Sequence, residues 1–359
     1  MKKFLALLLA LTMALALVAC GGGDDEAASG GESGGETTGG ETSGEFEEMT
    51  WKFACSATET SPWVDGAKEF ARIVGEKTGG AITVQYYPAD QLTAGVQTDG
   101  IQALMDGTTE LSMHSNLIWS SFDQRFNVVS LPFLFDSTDE ADAALDGAGG
   151  EALGEILESE YGVHLLGIAE NGFRHITNSK HAIASLADMN GLKMRVAGSQ
   201  LLNRSYELWG ADYTNANWSE VFTALQTGTY DGQENPLPTA DAASIQEVQS
   251  YLTYWTGAYD CLFFCMNADL YNSLSDELKA IVDEAGQAAC VCERELNRGQ
   301  DQEIMDRWAE AGVEVTELSA EGAAEFSEAS APVYDEFAEE LTPELIEAFT
   351  SVTQADNAA

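Results

Sequence analysis

Residues 190–196 read "NGLKMRV", where two cations, Lys193 and Arg195, stand two apart at the end of an otherwise apolar stretch. A guanidinium is planar and presents two parallel N–H donors that match the two oxygens of a carboxylate. A lysine ammonium is a mobile point charge. Arg195 thus has the chemistry either to grip a small acid or to close a salt bridge with one of the chain's own carboxylates. Those are plentiful: 60 Asp and Glu stand against 16 Lys and Arg, a formal charge of −44. Nucleic acid and anionic head groups both need basic patches, so this balance excludes them as partners. Any anion site must be local, built from a few fixed cations and backbone N–H groups.

The remaining reactive side chains carry less. Of the six cysteines, Cys261 and Cys265 lie four apart on a predicted strand, about 13 Å and too far for a bond to each other. Cys290 and Cys292 point to different sides of a predicted helix. With four histidines in the whole chain, these spacings match no zinc site, and buried apolar packing is the expected role. A helix-to-strand disulfide stays open. The sequence has no Gly-x-Ser-x-Gly elbow, no His-Glu-x-x-His and no P-loop, the motifs that would announce an enzyme. No metal, no cofactor and no catalysis are expected.

The elements that must hold Arg195 alternate between strand and helix. "MTWKFAC" (49–55) reads as a strand, Ser61-Pro62 as the cap and first turn of a helix to Lys77, and "AITVQYY" (81–87) as a second strand. A helix near 94–106, a strand at 110–115 and helices between 138 and 160 follow. The stretch 163–179 is strand-like, "LKMRV" is a short strand, and 199–209 is a helix. Asn217-x-x-Glu220 predicts a capping box opening a helix to Gln226. "CLFFCMN" (261–267) is a buried strand. From about Ser275 to Ala311 one long helical pattern would reach roughly 50 Å, enough to lie across two lobes. The alternation predicts an α/β fold.

The N-terminus sets the compartment. Lys2 and Lys3 precede an apolar run from Phe4 to Val18, a secretory signal too short to span a bilayer. It ends in "LVAC", which resembles a lipobox, so residues 1–19 are the expected signal peptide and Cys20 the expected acylated residue. Residues 20–48 are Gly, Ser, Thr, Asp and Glu with almost nothing apolar, an acidic tether. The expected location is extracytoplasmic, lipid-anchored to the outer face of the cytoplasmic membrane.

Two motifs at fixed separation, "DMNGLKMRV" (188–196) and "WSEVFTALQTGTYDGQENP" (218–236), resemble the signature of extracytoplasmic solute receptors of tripartite ATP-independent periplasmic (TRAP) transporters, of the C4-dicarboxylate-binding type. "YYPADQL" (86–92), "LPFLF" (131–135) and "NGFRHITNS" (171–179) match further family landmarks. The resemblance implies a two-lobed, venus-flytrap fold over 49–345, with hinge strands and a long helix across both lobes. Lobe 1 would take about 49–170 plus a returning segment from about 258, lobe 2 about 175–255, and 346–359 would be a C-terminal tail.

It further implies that the protein captures a small organic acid and delivers it to TRAP membrane subunits. Presenting the ligand to an ABC permease or a sensor kinase is the alternative, with a lipid-anchored hydrolase behind it. By resemblance Arg195 grips the carboxylate, Asn235 offers its amide and Trp218 packs on the carbon skeleton. Arg174 either meets the ligand or pins the interlobe strand through an ion pair. The chain also departs from the family pattern. Ala197 stands where Pro is common. Asn215 stands where Pro is frequent, adding polar capacity at the rim. His114, Ser115 and Asn116 occupy the stretch where some sialic-acid receptors carry a glutamate, which counts against sialic acid. His114 and Asn116 are then candidate first-lobe contacts, with internal packing the alternative for His114.

Overall fold

The computed structural model describes residues 46–356. The expected signal peptide, Cys20 and the tether up to residue 45 lie outside the described residues.

The first lobe is built from β1 (Met49–Cys55), α1 (Pro62–Lys77), β2 (Ile82–Tyr87), α2 (Gln97–Met105), β3 (Leu111–Ser115), α3 (Asn116–Trp119), α4 (Thr138–Leu145), α5 (Ala148–Tyr161) and β4 (Val163–Phe173). The second follows with β5 (His175–Asn178), β6 (Lys193–Val196), α6 (Gln200–Leu208), β7 (Asp212–Asn215), α7 (Trp218–Gln226), β8 (Gly232–Asn235), α8 (Leu237–Ala242) and β9 (Tyr251–Tyr254). The chain then returns through β10 (Tyr259–Asn267), α9 (Ala268–Ser273), α10 (Asp276–Arg298), α11 (Asp301–Glu310), β11 (Glu314–Glu317), α12 (Ala320–Leu341) and α13 (Pro343–Asp356).

The strands form two mixed sheets, ordered β2-β1-β3-β10-β4 and β11-β9-β5-β8-β6-β7. All nine residues of β10 are buried, because helices or the other lobe cover both of its faces; this is why it reads as an unbroken apolar run. Besides the helical passage from β10 to β11, two short connections pass between the sheets: β4 into β5 through Arg174, and β9 into β10 through 255–258. They are laced together where Arg174 N donates to Ala258 O at 2.9 Å. The first helix forms as expected, with Ser61 accepting from Trp63 N and Pro62 in the first turn. Its apolar face, including Phe70 and Val74, is buried in a core shared with α10.

Some expectations need correction or detail. The helical stretch over 275–311 is present but interrupted at Gly299 and Gln300. Its first part packs on α1 and β4 and its second on α8 and β11, so it passes from one lobe to the other across that break. The returning segment also gives the second sheet a strand, β11, parallel to β9. Residues from 346 continue α13 rather than forming a tail, and Leu345 and Phe349 are buried against the first-lobe helices. Asn217 does occupy the N-cap of α7, but its side chain does not cap that helix. The five described cysteines are free thiols, four of them buried.

A second long helix, α12, packs against both lobes. Its Phe326, Val333 and Phe337 share one core with Ile168 and Phe263 of the first sheet and Met194 and Val196 of the second. That core spans both lobes.

Candidate ligand-binding site

β6 pairs parallel with β8, Arg195 opposite Gln233, and the C-terminal ends of both strands reach the cleft. A strand with its register held on both sides fixes where a side chain leaves the backbone, and Arg195 leaves it inward: its side chain is 2% exposed. Nε and Nη2 both donate to Ala216 O, at 3.0 and 2.7 Å. The guanidinium carbon lies 5.6 Å from the Trp218 ring centroid, within cation–π range. Nη1 is 3.9 Å from Glu234 Oε1, beyond hydrogen-bond distance. Arg195 is therefore a buried cation oriented by a carbonyl and a ring, without a hydrogen-bonded carboxylate among the described residues. Burial pushes its pKa down to about 10; Glu234 opposes that shift and Arg174 adds to it. It stays charged at neutral pH. Lys193, two residues earlier, is exposed and takes no part.

Arg174 sits between the sheets, 4% exposed, and is saturated. Nε donates to Glu234 Oε2 and Nη1 to Asp260 Oδ2. Nη2 donates to Glu234 O at 2.9 Å and to Asn235 Oδ1 at 3.0 Å. Burial alone would lower its pKa, but the Glu234 and Asp260 carboxylates outweigh that and hold it above the ordinary value. Asp260, fully buried, is pushed up by desolvation against the pull of Arg174. It also accepts from Ser115 Oγ and Asn171 Nδ2, both at 2.7 Å. Glu234 spends its other oxygen on Ala197 N at 2.9 Å, which holds the turn just after Arg195.

These groups line a narrow cleft between the lobes that holds a cavity of about 30 Å³. The first lobe contributes Ser56, Trp63, Gln97, Ser115 and Ile118 to its wall. Asn171, Arg174 and Asp260 come from the hinge strands, and Arg195, Ala197, Trp218, Asn235 and Thr239 from the second lobe. A larger groove of about 530 Å³ beside α5 and α10 also contains an arginine. That residue, Arg294, is fully engaged by Asp142, Asp146 and the Ile168 carbonyl.

Of the sequence candidates, the structure brings Arg195, Arg174, Trp218 and Asn235 to one cavity. The other three are elsewhere. Asn215 is exposed on edge strand β7, donating to the carbonyls of Val196 and Ala197 and pairing with Asn203. Asn116 is fully buried, donating to Phe126 O and Ser130 Oγ and accepting from Cys261 N. His114 is fully buried with Nε2 3.3 Å from Asp90 Oδ1. Gln97, Asn171, Thr239 and Asp260 were not singled out from the sequence. Only Asp260 carries a local signal, a lone acid opening an otherwise apolar buried strand.

The residues 53–341 match the model of the bacterial extracellular solute-binding protein family 7, DctP. The chain belongs to this family, the extracytoplasmic receptors of TRAP transporters. It is 31% identical over 264 residues to the 2,3-diketo-L-gulonate-binding periplasmic protein YiaO of Escherichia coli K12, covering 74% of this chain and 80% of that one. Among solved structures it superposes on the sugar acid binding protein DctPAm of Advenella mimigardefordensis in complex with galactonate. That match has a TM-score of 0.83 and 30% identity, over 87% of this chain and 99% of that one. A TRAP periplasmic solute-binding protein from Sulfurospirillum deleyianum with bound succinate matches with a TM-score of 0.79 and 28% identity, over 86% and 100%.

Proposed function

We propose that this receptor captures a small hydroxylated monocarboxylate between its lobes and releases it unmodified to the TRAP membrane subunits. One observation carries the reading: Arg195 is the cavity cation left without a hydrogen-bonded carboxylate among the described residues. Two parallel N–H donors match one carboxylate. Arg174 has no charge to spare, because Glu234 and Asp260 already answer it. A second ligand carboxylate would therefore lie near Asp260 with no cation to receive it. Hydroxyl groups fit better, since Ser56, Ser115, Asn235 and Thr239 line the cavity and pair with hydroxyls at low desolvation cost. Trp63 and Trp218 offer apolar faces for the carbon chain. The galactonate complex of the Advenella protein supports the sugar-acid side of this choice, and the succinate complex represents the dicarboxylate side.

A thermal-shift comparison tests it. Aldonates and 2-hydroxy acids, each at 100 times its dissociation constant, should stabilise the protein by about 2.7 kcal/mol. Succinate at the same concentration should give little shift. A stronger response to succinate overturns the monocarboxylate reading, and chemical change of the bound acid overturns the receptor reading in favour of an enzyme.

We also propose that Cys20 carries the lipid that holds the receptor outside the cell membrane. The lipobox-like "LVAC" supports this. Loss of membrane association in Cys20→Ala is the expected result.

A further inference from the structure

Two helices, one in each lobe, begin at the same edge of the cavity. Helix α2 starts at Gln97 and α7 at Trp218, each nine residues long. Neither carries a cap of its own: Val96 has no side-chain oxygen, and the Asn217 side chain turns away from α7. Each instead takes its partner from the opposite lobe. Gln97 N donates to Asn217 Oδ1 at 3.4 Å, and Trp218 N donates to Gln97 Oε1 at 3.1 Å. Ser219 Oγ adds a bond to Gly95 O at 3.0 Å. First-turn amides have no partner inside their own helix, so these bonds are a cross-cleft form of capping.

Gln97 has a second end. Its partner Trp218 N is a donor, so the oxygen of the Gln97 amide must face it and Nε2 must face the other way. The side chain is 7% exposed and lies on the cavity wall. Nε2 has no hydrogen-bond partner among the described residues. Nε2 is not fully enclosed and so keeps access to the cavity that Gln97 lines, where an entering acceptor can take its hydrogen bond. The two helix N-termini place their positive ends at the same edge, which favours an anionic acceptor.

We propose that Gln97 is a ligand-contacting residue of the first lobe, donating Nε2–H to an oxygen of the bound acid while its Oε1 holds α7 closed. One side chain thereby senses occupancy and carries the closing bond. This rests on the receptor reading above but not on Arg195.

Gln97→Glu tests it in the full chain, because glutamate keeps size and an acceptor for Trp218 N but replaces the donor with a negative oxygen. With the tightest-binding acid of the thermal-shift panel, affinity at pH 7 should fall roughly 10- to 100-fold. It should recover as the pH is lowered from 7 to 5, because burial and the ligand's own negative charge raise the pKa of the introduced carboxyl above its ordinary value of about 4.3. Protonation then restores a donor, while the wild type stays flat. Ser219→Ala, which removes only a flanking bond, should speed dissociation a few-fold and leave association unchanged. If Gln97→Glu binds within threefold of wild type at pH 7, or its loss persists unchanged at pH 5, Gln97 is only a latch and the proposal falls. Should Gln97→Glu unfold, Gln97→Ala decides in its place: affinity within threefold of wild type overturns the contact. Arg195→Ala runs alongside. Retained affinity in that variant would overturn the carboxylate assignment while leaving the Gln97 result to stand by itself.

Discussion

Arg174 and Arg195 are both nearly fully buried, lie one on each side of Glu234, and line one cavity. Their surroundings push them in opposite directions. Two carboxylates hold the Arg174 pKa above the ordinary value, while burial beside a carbonyl and an indole lowers that of Arg195. The first cation is consumed by the fold. The second has Glu234 near it at 3.9 Å but no carboxylate hydrogen-bonded to it. On the proposed function, that difference is what makes Arg195 the ligand group and Arg174 a structural one.

The contrast can be broken in several ways. Arg174→Ala would leave Glu234 and Asp260 buried without a cation and should destabilise the fold by about 3–5 kcal/mol in urea unfolding. A loss under 1 kcal/mol would show that the pair does not depend on it. Arg195→Ala should instead leave stability within about 1 kcal/mol of wild type, or raise it, because a desolvated charge is removed. It should weaken binding by about 3 kcal/mol, the worth of two bonds to a charged group, as calorimetry would measure. Arg195→Lys should restore part of that and not the bidentate geometry. Trp218→Leu, which removes the ring beneath the guanidinium, should cost about 1 kcal/mol in affinity. Asn215→Ala should change affinity less than threefold, since that side chain holds backbone carbonyls on the outer edge. Between pH 6 and 9 affinity should be flat. Arg195 titrates above that window and the ligand carboxylate below it, so a break inside the window would implicate another group.

Much of the scaffold was legible because it rests on local rules. The Ser61-Pro62 cap, the alternation in 81–87 and the apolar run of β10 each act over a few residues, and the strand around Arg195 sits in a long motif. What escaped depends on contacts distant in sequence. Asn217 and Glu220 have capping-box spacing, yet the Asn217 side chain is drawn across the cleft to Gln97 N. The helical pattern persists through 275–311 because α10 and α11 each keep an apolar face toward their own lobe, so periodicity hides the break at Gly299. His114 and Asn116 lie next to the cavity residue Ser115 in sequence, but β-strand alternation and the turn into α3 send them into the core. Gln97 is one polar residue among many until the opposite lobe is in place.

The central claim is tested most directly by a crystal structure of the receptor with the acid that stabilises it most. The account predicts the ligand carboxylate within hydrogen-bond distance of Arg195, with Arg174 still paired to Glu234 and Asp260. A carboxylate resting on Arg174, or Arg195 swung onto Glu234 with the acid bound elsewhere, would contradict it.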